Sequence, residues 1–280
     1  MPLPDEPAGR PVVFGESVLI PVANGYVYRY TPGDSQMAVG PLWRGDAAGE
    51  KPECFLTPLG TEEFLATDGG RKFLHWRWQT GAKHEKVGGP WESREPITMP
   101  PAAIGSAENQ RFLALDATGV AFLFDADKPG TDPVRRWRSG EKSAIPTGKP
   151  TGLPATITAD GRTLVVYSID RRHLVALDPA RPEPAWVRRD LPSPQAGALV
   201  GWTAAGRRLI ATDQAGQVVT LDAASGKEVA RSPSPPVGTI AVAPGVPLGE
   251  WALVVLADGS AATISLPGKP ESAPAPGPKD

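Results

Sequence analysis

Short apolar segments alternate with polar turns along the whole chain, and residues 209–226 give the clearest example. An apolar run ends in a polar turn at residues 213–216, and a second apolar run ends at Asp222. The runs are rich in Val, Leu, Thr and aromatic residues, and Gly, Asp and Asn bound them, which is typical of β-strands. No stretch shows a sustained helical i, i+3, i+4 pattern. We therefore predict an antiparallel hairpin at this position.

The same hairpin pattern occurs six times. The aligned segments are VANGYVYRYT (22–31), DGGRKFLHWR (68–77), DATGVAFLFD (116–125), IDRRHLVALD (169–178), DQAGQVVTLD (213–222) and LADGSAATIS (256–265). Their ninth residues are always large and apolar and follow one another at intervals of about 43 to 53 residues, the period of propeller blades or two-helix solenoids. Strand-type composition favours the propeller. Glycine occupies the fourth position except at Arg71 and Arg172, so those two turns are expected to differ in conformation.

Each hairpin lies between two further predicted strands. The preceding strands are predicted at residues 11–14, 54–58, 102–105, 155–158, 199–203 and 239–243. A following strand carries Trp43, Trp91, Trp137 or Trp186, and Val229 and Ala230 take that place in the fifth repeat. Four strands per repeat make a propeller blade. We predict an all-β chain, a β-propeller of about six blades of four antiparallel strands, in which the sixth blade stops after its third strand.

Hydrophobic patterning also predicts burial and domain limits. Consecutive apolar residues at 164–167 and 252–256 are typical of strands buried on both faces. We expect a flexible N-terminal segment at 1–10, the propeller domain at 11–268 and a disordered, Pro-rich tail at 269–280. Either the last blade has three strands or the chain is a piece of a longer propeller, and we favour a six-bladed ring.

Composition narrows the function classes. The chain has 280 residues, 40% hydrophobic and 21% charged, with a net charge of -2, which argues against a nucleic-acid partner. Cys54 is the single cysteine, so neither an intramolecular disulfide nor a cysteine-based zinc site is expected. The N-terminus lacks a basic start and an apolar stretch, and no apolar run of about 18 residues occurs. We expect a cytoplasmic monomer without membrane insertion.

Residues 209–231 resemble a quinoprotein-type (PQQ-like) β-propeller repeat of bacterial proteins. The matching residues are Leu221-Asp222 followed by Ser225-Gly226-Lys227, and Leu177-Asp178 followed by Trp186. The resemblance implies a propeller. Quinoprotein dehydrogenases have eight blades, a quinone, a calcium ion and usually paired cysteines, and this shorter chain with Cys54 alone departs from that pattern. We therefore expect no cofactor and no catalytic residue carried over from the dehydrogenases.

Residues with possible chemistry each have a simpler structural interpretation. His75 and His173 fall on strands of separate blades and His84 in a loop, so a three-histidine metal site is disfavoured. Aspartates recur at two positions of the repeat, and either a cation site or the capping of turns would explain them. Capping is the better explanation. The residues are Asp68, Asp116 and Asp213 at turn entries and Asp125, Asp178 and Asp222 at strand ends.

Arginines and aromatic residues leave two interpretations open. Several arginines lie beside the tryptophan strands or in turns. They either protect exposed sheet edges from pairing or form a basic rim that binds an acidic partner. The residues are Arg135, Arg136, Arg138, Arg188, Arg189, Arg207 and Arg208. Alternation puts Tyr26, Tyr28 and Tyr30 on one strand face. Those tyrosines and the Trp76-Arg77-Trp78 stretch serve blade packing or bind a sugar or peptide.

These observations predict a non-catalytic scaffold for protein–protein interaction or ligand sensing, possessing no catalytic, cofactor-binding or metal residues and having an unidentified protein partner. Binding is expected at the longest inserts, residues 45–54, 81–101 and 126–154, because long loops on rigid scaffolds tend to carry function. The alternative is a small-molecule or carbohydrate-processing propeller enzyme with carboxylates in an axial channel. A channel lined by Val, Ala and Thr would argue against that enzyme.

Overall fold

A computed structural model describes residues 2–43, 53–79, 83–105, 110–126, 128, 132–140, 143–189, 191, 198–232, 240–249 and 251–265. Within these ranges the secondary structure consists of 23 strands in six antiparallel sheets, and no helix is present. The prediction of an all-β chain built from six hairpin repeats is confirmed. The chain forms two compact units, Met1–Arg189 and Asp190–Asp280, which are described separately. The predicted tail at 269–280 lies outside the described residues.

The first unit contains four sheets of four strands, each in chain order from edge to edge. Sheet 1 consists of β1 (Val12–Phe14), β2 (Ser17–Pro21), β3 (Tyr26–Tyr30) and β4 (Ala38–Leu42). Sheet 2 consists of β5 (Leu56–Pro58), β6 (Glu63–Thr67), β7 (Lys72–Trp78) and β8 (His84–Glu92). Sheet 3 consists of β9 (Ala102–Ile104), β10 (Arg111–Leu115), β11 (Ala121–Asp125) and β12 (Arg135–Trp137). Sheet 4 consists of β13 (Pro150–Ala159), β14 (Arg162–Ile169), β15 (His173–Leu177) and β16 (Pro184–Arg188).

The second unit contains the last two sheets. Sheet 5 consists of β17 (Leu199–Ala205), β18 (Arg208–Asp213), β19 (Val218–Asp222) and β20 (Glu228–Arg231). Sheet 6 has three strands, β21 (Val246–Leu248), β22 (Trp251–Val255) and β23 (Ala261–Ser265). The expected incomplete sixth repeat is therefore present in the structure.

Two predicted positions are wrong. The first strand of the sixth repeat was expected at 239–243, but the described part of that range makes one bridge, Ala241 to Leu256, and the ladder lies at Val246–Leu248. Pro244 and Gly245 separate the two because a proline cannot donate to a ladder. His84 was expected in a loop, yet it begins β8. The β7–β8 hairpin is longer than expected, pairing Trp78 with His84, and Arg77 Nη1 lies 2.7 Å from Glu85 Oε1 across it.

The hairpin turns differ as their fourth residues predict. Gly25, Gly119, Gly216 and Gly259 all have positive φ between 82° and 94°. In the fourth repeat, where Arg172 replaces glycine, the preceding residues Asp170 and Arg171 have φ values of 51° and 52°. Two consecutive left-handed residues are typical of a type I′ turn, whose twist matches the flanking strands.

Apolar side chains fill the spaces between consecutive sheets within each unit. Three clusters in the first unit join sheet 1 to sheet 2, sheet 2 to sheet 3 and sheet 3 to sheet 4. Aromatic rings dominate the second cluster, where Phe112 and Phe124 stack at 5.1 Å and Trp91 meets Phe112 edge-on at 5.0 Å. In the second unit a smaller cluster joins sheets 5 and 6. Burial of both sheet faces explains why β10, β11, β14 and β15 contain continuous apolar runs.

The two examples of predicted two-sided burial have different outcomes. Leu164, Val165, Val166 and Tyr167 are all fully buried, as predicted. The run at 252–256 is buried on one face only, because Ala252 and Val254 are buried whereas the alternate residues are partly exposed. Among the described residues no helix is long and apolar enough to span a bilayer.

Candidate functional site

The first strands of sheets 1 to 4 form an apolar pocket of about 270 Å³ within the first unit. It is lined by Arg10, Val12, Cys54, Phe55, Leu56, Thr57, Pro58, Pro100, Pro101, Ala102, Ala103, Leu153, Pro154 and Thr156. Four prolines give the walls a fixed backbone with few free amide donors. This volume lies just below the usual range for small-molecule sites, about 300–1,000 Å³.

The three longest inserts of the sequence all end at this pocket. Cys54 ends the insert at 45–54, Pro100 and Pro101 end that at 81–101, and Leu153 and Pro154 end that at 126–154. Most of the insert at 45–54 lies outside the described residues, whereas 81–101 contains strand β8 and 126–154 contains β12 and the start of β13. The C-terminal end of each predicted insert lies at the pocket.

Two threonine hydroxyls in the pocket wall connect neighbouring sheets. Thr57 Oγ1 donates to the carbonyl of Pro101 at 2.7 Å, and Thr156 Oγ1 donates to the carbonyl of Ala103 at 2.9 Å. These bonds satisfy the hydroxyl donors within the wall. The surface that remains for a bound molecule is mainly hydrocarbon.

A β-bulge in β13 places Leu153 at the pocket. The register between β13 and β14 shifts between Thr151 and Ala155, and Gly152 within the shift has a φ of 75°. Leu153 is 48% exposed, which is high for a leucine in a strand. Bulges redirect side chains and are common beside functional sites. The bulge thus provides an accessible apolar side chain for a partner.

The electrostatics of the pocket are simple. Among the described residues of the lining, Arg10 is the one that is charged, and none is a carboxylate. Cys54 is fully buried, and burial raises the pKa of its thiol well above the usual value, so the thiolate required for nucleophilic attack is suppressed. The pocket is suited to burying an apolar group.

The predicted histidines occupy separate environments. His75 is 2% exposed and its Nε2 lies 2.8 Å from Glu63 Oε2. Burial lowers the pKa of His75, and the attraction of Glu63 opposes this only in part. His84 packs near the Trp76 and Trp78 rings, at 5.8 and 6.3 Å. Burial also lowers the pKa of His173, helped by Arg189. In the described ranges no group of three or more His, Cys, Asp or Glu could hold a metal ion.

The recurring aspartates hold turns and pair with cations. Asp116 Oδ1 accepts hydrogen bonds from the amides of Thr118 and Val120, and Asp213 Oδ1 accepts one from Gln217 at 2.9 Å. The capping interpretation is confirmed for these turns, and Asp68, Asp178 and Asp222 accept equivalent amide bonds. At the end of β11, burial opposes ionisation of Asp125, but hydrogen bonds from Lys128 and Arg111 prevail and lower its pKa.

Three of the arginines singled out in the sequence, Arg135, Arg136 and Arg189, lie against aromatic rings or backbone carbonyls. Arg135 lies 5.8 Å from the Trp137 ring and donates to the Pro179 carbonyl, and Arg136 lies 5.0 Å from the Phe122 ring. Arg189 Nη2 donates to the Ala144 carbonyl at 2.8 Å. Each of these arginines is thereby held at the edge of its sheet.

The aromatic stretches divide between core and surface. Trp78 is buried at 2% exposure, and Arg77 beside it binds Glu63 and Glu85. Tyr26 is 39% exposed, and the Tyr28 hydroxyl accepts a hydrogen bond from Asn24 Nδ2 at 3.0 Å. Neither stretch lines the pocket, and the sequence pointed to this region only through the binding predicted at the three inserts. The signal that was available for Leu153 is the Gly-Leu-Pro triplet at 152–154, where glycine and proline interrupt a strand.

Comparisons with solved structures identify the architecture. Saccharomyces cerevisiae Sqt1 matches 90% of this chain and 69% of its own, at 9% identity and a TM-score of 0.64. BBS1N in complex with ARL6DN matches 95% and 79%, at 15% identity and a TM-score of 0.58. BamB from Moraxella catarrhalis matches 95% and 84%, at 14% identity and a TM-score of 0.50. The chain has a β-propeller fold. Neither models of known protein families nor curated protein sequences match it.

Proposed function

We propose that this β-propeller is a non-catalytic scaffold that binds a protein partner through the apolar pocket of its first unit. The observation that carries the proposal is the combination of an apolar lining, hydroxyls already bonded between sheets, and Leu153 exposed on a bulge. A concave apolar site rimmed by long inserts is suited to an apolar side chain from another protein. A small apolar ligand would use the same surface if the protein is a sensor.

Similar solved structures support an interaction role. BBS1N was solved in complex with ARL6DN, and the Mitotic Checkpoint Complex, also similar in fold, is itself an assembly. Both similarities are below 25% identity, so they supply the precedent of a propeller within a complex and no partner for this chain. The quinoprotein-type repeat, a bacterial source and a cytoplasmic monomer are further parts of the proposal that come from the sequence.

The enzyme alternative has no supporting observation in the pocket. Acid/base catalysis by paired carboxylates requires two such groups to face the substrate. The described residues of the lining include no carboxylate, and Arg10 is the one charged side chain among them. The scaffold is therefore the function that the described geometry supports best.

A quantitative pull-down with a single substitution tests the proposal. Leu153→Glu places a charge at the rim of the pocket, and Val134→Glu is the matched control, because Val134 is 50% exposed in the same unit and lies outside the pocket. We expect partners retained by the wild type and by Val134→Glu to be lost by Leu153→Glu. Equal retention by both variants, with unchanged unfolding midpoints, would overturn the assignment of the pocket.

A further inference from the structure

Among the described residues sheet 6 has three strands, whereas each of the other five sheets has four. In sheets 1 to 5 the fourth strand pairs with the third, and in sheet 6 the described residues end the ladder at β23. The side chains of β23 are consequently exposed or half-exposed along its whole length, whereas β11 and β19 are almost entirely buried. Within the part of the chain that the structure describes, the outer edge of β23 is thus a vacant position in a repeating structure.

The backbone of β23 has ladder groups directed toward this vacant position. Leu256 N donates to Ser260 O at 2.9 Å. In an antiparallel ladder every second pair after it is hydrogen-bonded, so Ala262 and Ile264 of β23 bond to Val254 and Ala252 of β22. The amide and carbonyl groups of Ala261, Thr263 and Ser265 therefore point away from β22.

The other sheets show how these groups are normally used. Leu123 of β11 is equivalent to Thr263, and its carbonyl accepts a hydrogen bond from Val134 N at 2.7 Å. Val218 of β19 is equivalent to Ala261, and its carbonyl accepts one from Ser232 N at 2.8 Å. An extended backbone placed beside β23 would make the same bonds.

The edge of β23 has no side chains that would block pairing with another strand. Exposed edge strands usually carry charged residues that prevent pairing with other chains. The outermost strands β12, β16 and β20 follow this rule with arginines, including Arg136, Arg188 and Arg231. The sequence of β23, AATIS, has neither a charge nor a proline. It therefore lacks the features that would keep another strand away.

One face of sheet 6 is also apolar and exposed. Direct cross-strand pairing places Leu248 with Trp251, and Trp251 with Ser265, on the same face as Thr263. Leu248 is 52% exposed and Trp251 50% exposed, while the opposite face packs against sheet 5. A strand added at β23 would extend this face and cover part of it.

The repeat indicates which side chain the added strand needs. In sheet 3 the buried Trp137 lies opposite Ala121, and in sheet 4 Trp186 lies opposite Ala176. The equivalents in sheet 6 are Ala261 and Thr263 on the exposed face. An aromatic residue at either position would pack over the edge of that face, beside Trp251 and its neighbours.

We propose that sheet 6 accepts an extended segment of a partner protein as its fourth strand, antiparallel to β23 and carrying a large aromatic residue opposite Ala261 or Thr263. Main-chain bonds supply affinity and the aromatic residue supplies specificity, as in other cases of strand addition. Residues 266–280 are poor candidates for the same role because proline recurs at 267, 270, 274, 276 and 278. This surface lies in the second unit and is independent of the pocket described above.

A labelled peptide with the chain's own sequence 183–189, EPAWVRR, is the probe, because β16 within it is a fourth strand whose tryptophan is known to fit. Binding to the intact chain is measured by fluorescence anisotropy. We expect saturable binding, weakened about tenfold or more when the peptide carries Trp186→Ala. Absence of saturable binding up to about 1 mM peptide would overturn the proposal.

A pair of protein variants locates the binding. Thr263→Lys places a charge on the β23 edge and should weaken peptide binding about tenfold or more. Val229→Lys is the control, since Val229 is 47% exposed on β20, which belongs to a complete sheet. Equal affinity for both variants, with unchanged unfolding midpoints, would place the peptide elsewhere and overturn the proposal.

Two further outcomes would identify a different occupant. Light scattering that shows a dimer in the wild type and a monomer in Thr263→Lys would make a second copy of the chain the occupant. A chain ending at Ser265 that binds the peptide about tenfold more tightly would make residues 266–280 the occupant. Either result would overturn the proposal of a partner strand, and a monomer with unchanged affinity after truncation supports it.

Discussion

His75 Nε2 lies 2.8 Å from Glu63 Oε2, and the other oxygen of the same carboxylate lies 2.6 Å from Arg77 Nη2. The histidine is 2% exposed, on β7 between sheets 2 and 3, and the arginine extends to Glu85 on β8. One carboxylate thus connects a buried neutral ring to an exposed cation. This network gives the fold a pH dependence whose sign is determined by burial.

Burial lowers the folded-state pKa of both His75 and His173. Between the folded and unfolded pKa values the unfolded chain binds more protons, so stability rises with pH in that window. The contribution is complete above the unfolded value of about 6.5 and is lost as the pH falls below it. We expect the urea concentration at the midpoint of unfolding to be lower at about pH 5.5 than at about pH 7.5.

The variant carrying His75→Gln and His173→Gln should show a smaller decrease in that midpoint. A wild type whose midpoint stays constant over the range would contradict the sign derived from burial.

Thr57→Val should destabilise the first unit by about 1–2 kcal/mol. The substitution keeps the shape of the side chain but leaves the Pro101 carbonyl without its hydroxyl donor, in a wall where Thr57 is 8% exposed. Thr156→Val removes a similar bond at an exposed residue and should cost less. Urea unfolding of the two variants measures the difference. A larger loss of unfolding free energy for Thr156→Val than for Thr57→Val would contradict this prediction.

Gly40→Ala should destabilise the protein by about 2 kcal/mol through overpacking. A Cβ on Gly40 would collide with the Trp78 ring and would lie 2.7 Å from the Val27 carbonyl oxygen. Gly70→Ala is the control, because its nearest contact would be Asp68 Oδ1 at 3.4 Å. Thermal unfolding of both variants checks this prediction. Equal melting temperatures would mean that β4 can shift to accommodate the added methyl group without loss of stability.

Trp91→Ala should destabilise the protein far more than Trp251→Ala. Trp91 is 1% exposed and meets Phe112 at 5.0 Å, so its removal should cost about 3–5 kcal/mol. Trp251 is 50% exposed, and its removal should cost below about 1 kcal/mol. Denaturant unfolding followed by circular dichroism compares them. Comparable losses would indicate that Trp251 is covered in solution.

Cys54 should not react with a thiol reagent in the folded protein. It is fully buried, and burial raises its pKa well above the usual value, so both access and thiolate are suppressed. Reaction with a disulfide reagent is expected to appear only in parallel with unfolding in urea. Rapid labelling in native buffer would show that sheet 2 opens at its first strand.

The repeat made most of the fold predictable, because each hairpin combines an apolar run, an aspartate or asparagine in the turn and a large ninth residue. Local chemistry also predicted the role of Asp116 and the unusual turn before Arg172. The first strand of the sixth repeat could not be located in this way, since both 239–243 and 246–248 are apolar and only the Pro244-Gly245 interruption distinguishes them.

The pocket was less predictable than the fold. Its lining comes from four strands far apart in the sequence, and no local pattern indicates that Val12, Leu56 and Ala102 share one surface. Insert length indicated where to look, because all three long inserts end there. The orientation of Leu153 depends on a register shift, which is a property of the pairing with β14 and not of the residue itself.

The hydroxyl ties of Thr57 and Thr156 have a consequence for how binding specificity can change. Both acceptors are main-chain carbonyls, at Pro101 and Ala103, so almost any side chain at those positions preserves the bonds. The frame of the pocket and its chemical surface are thereby separable. Directed evolution could replace the wall residues one at a time, and a new ligand preference could emerge while the sheets keep their spacing.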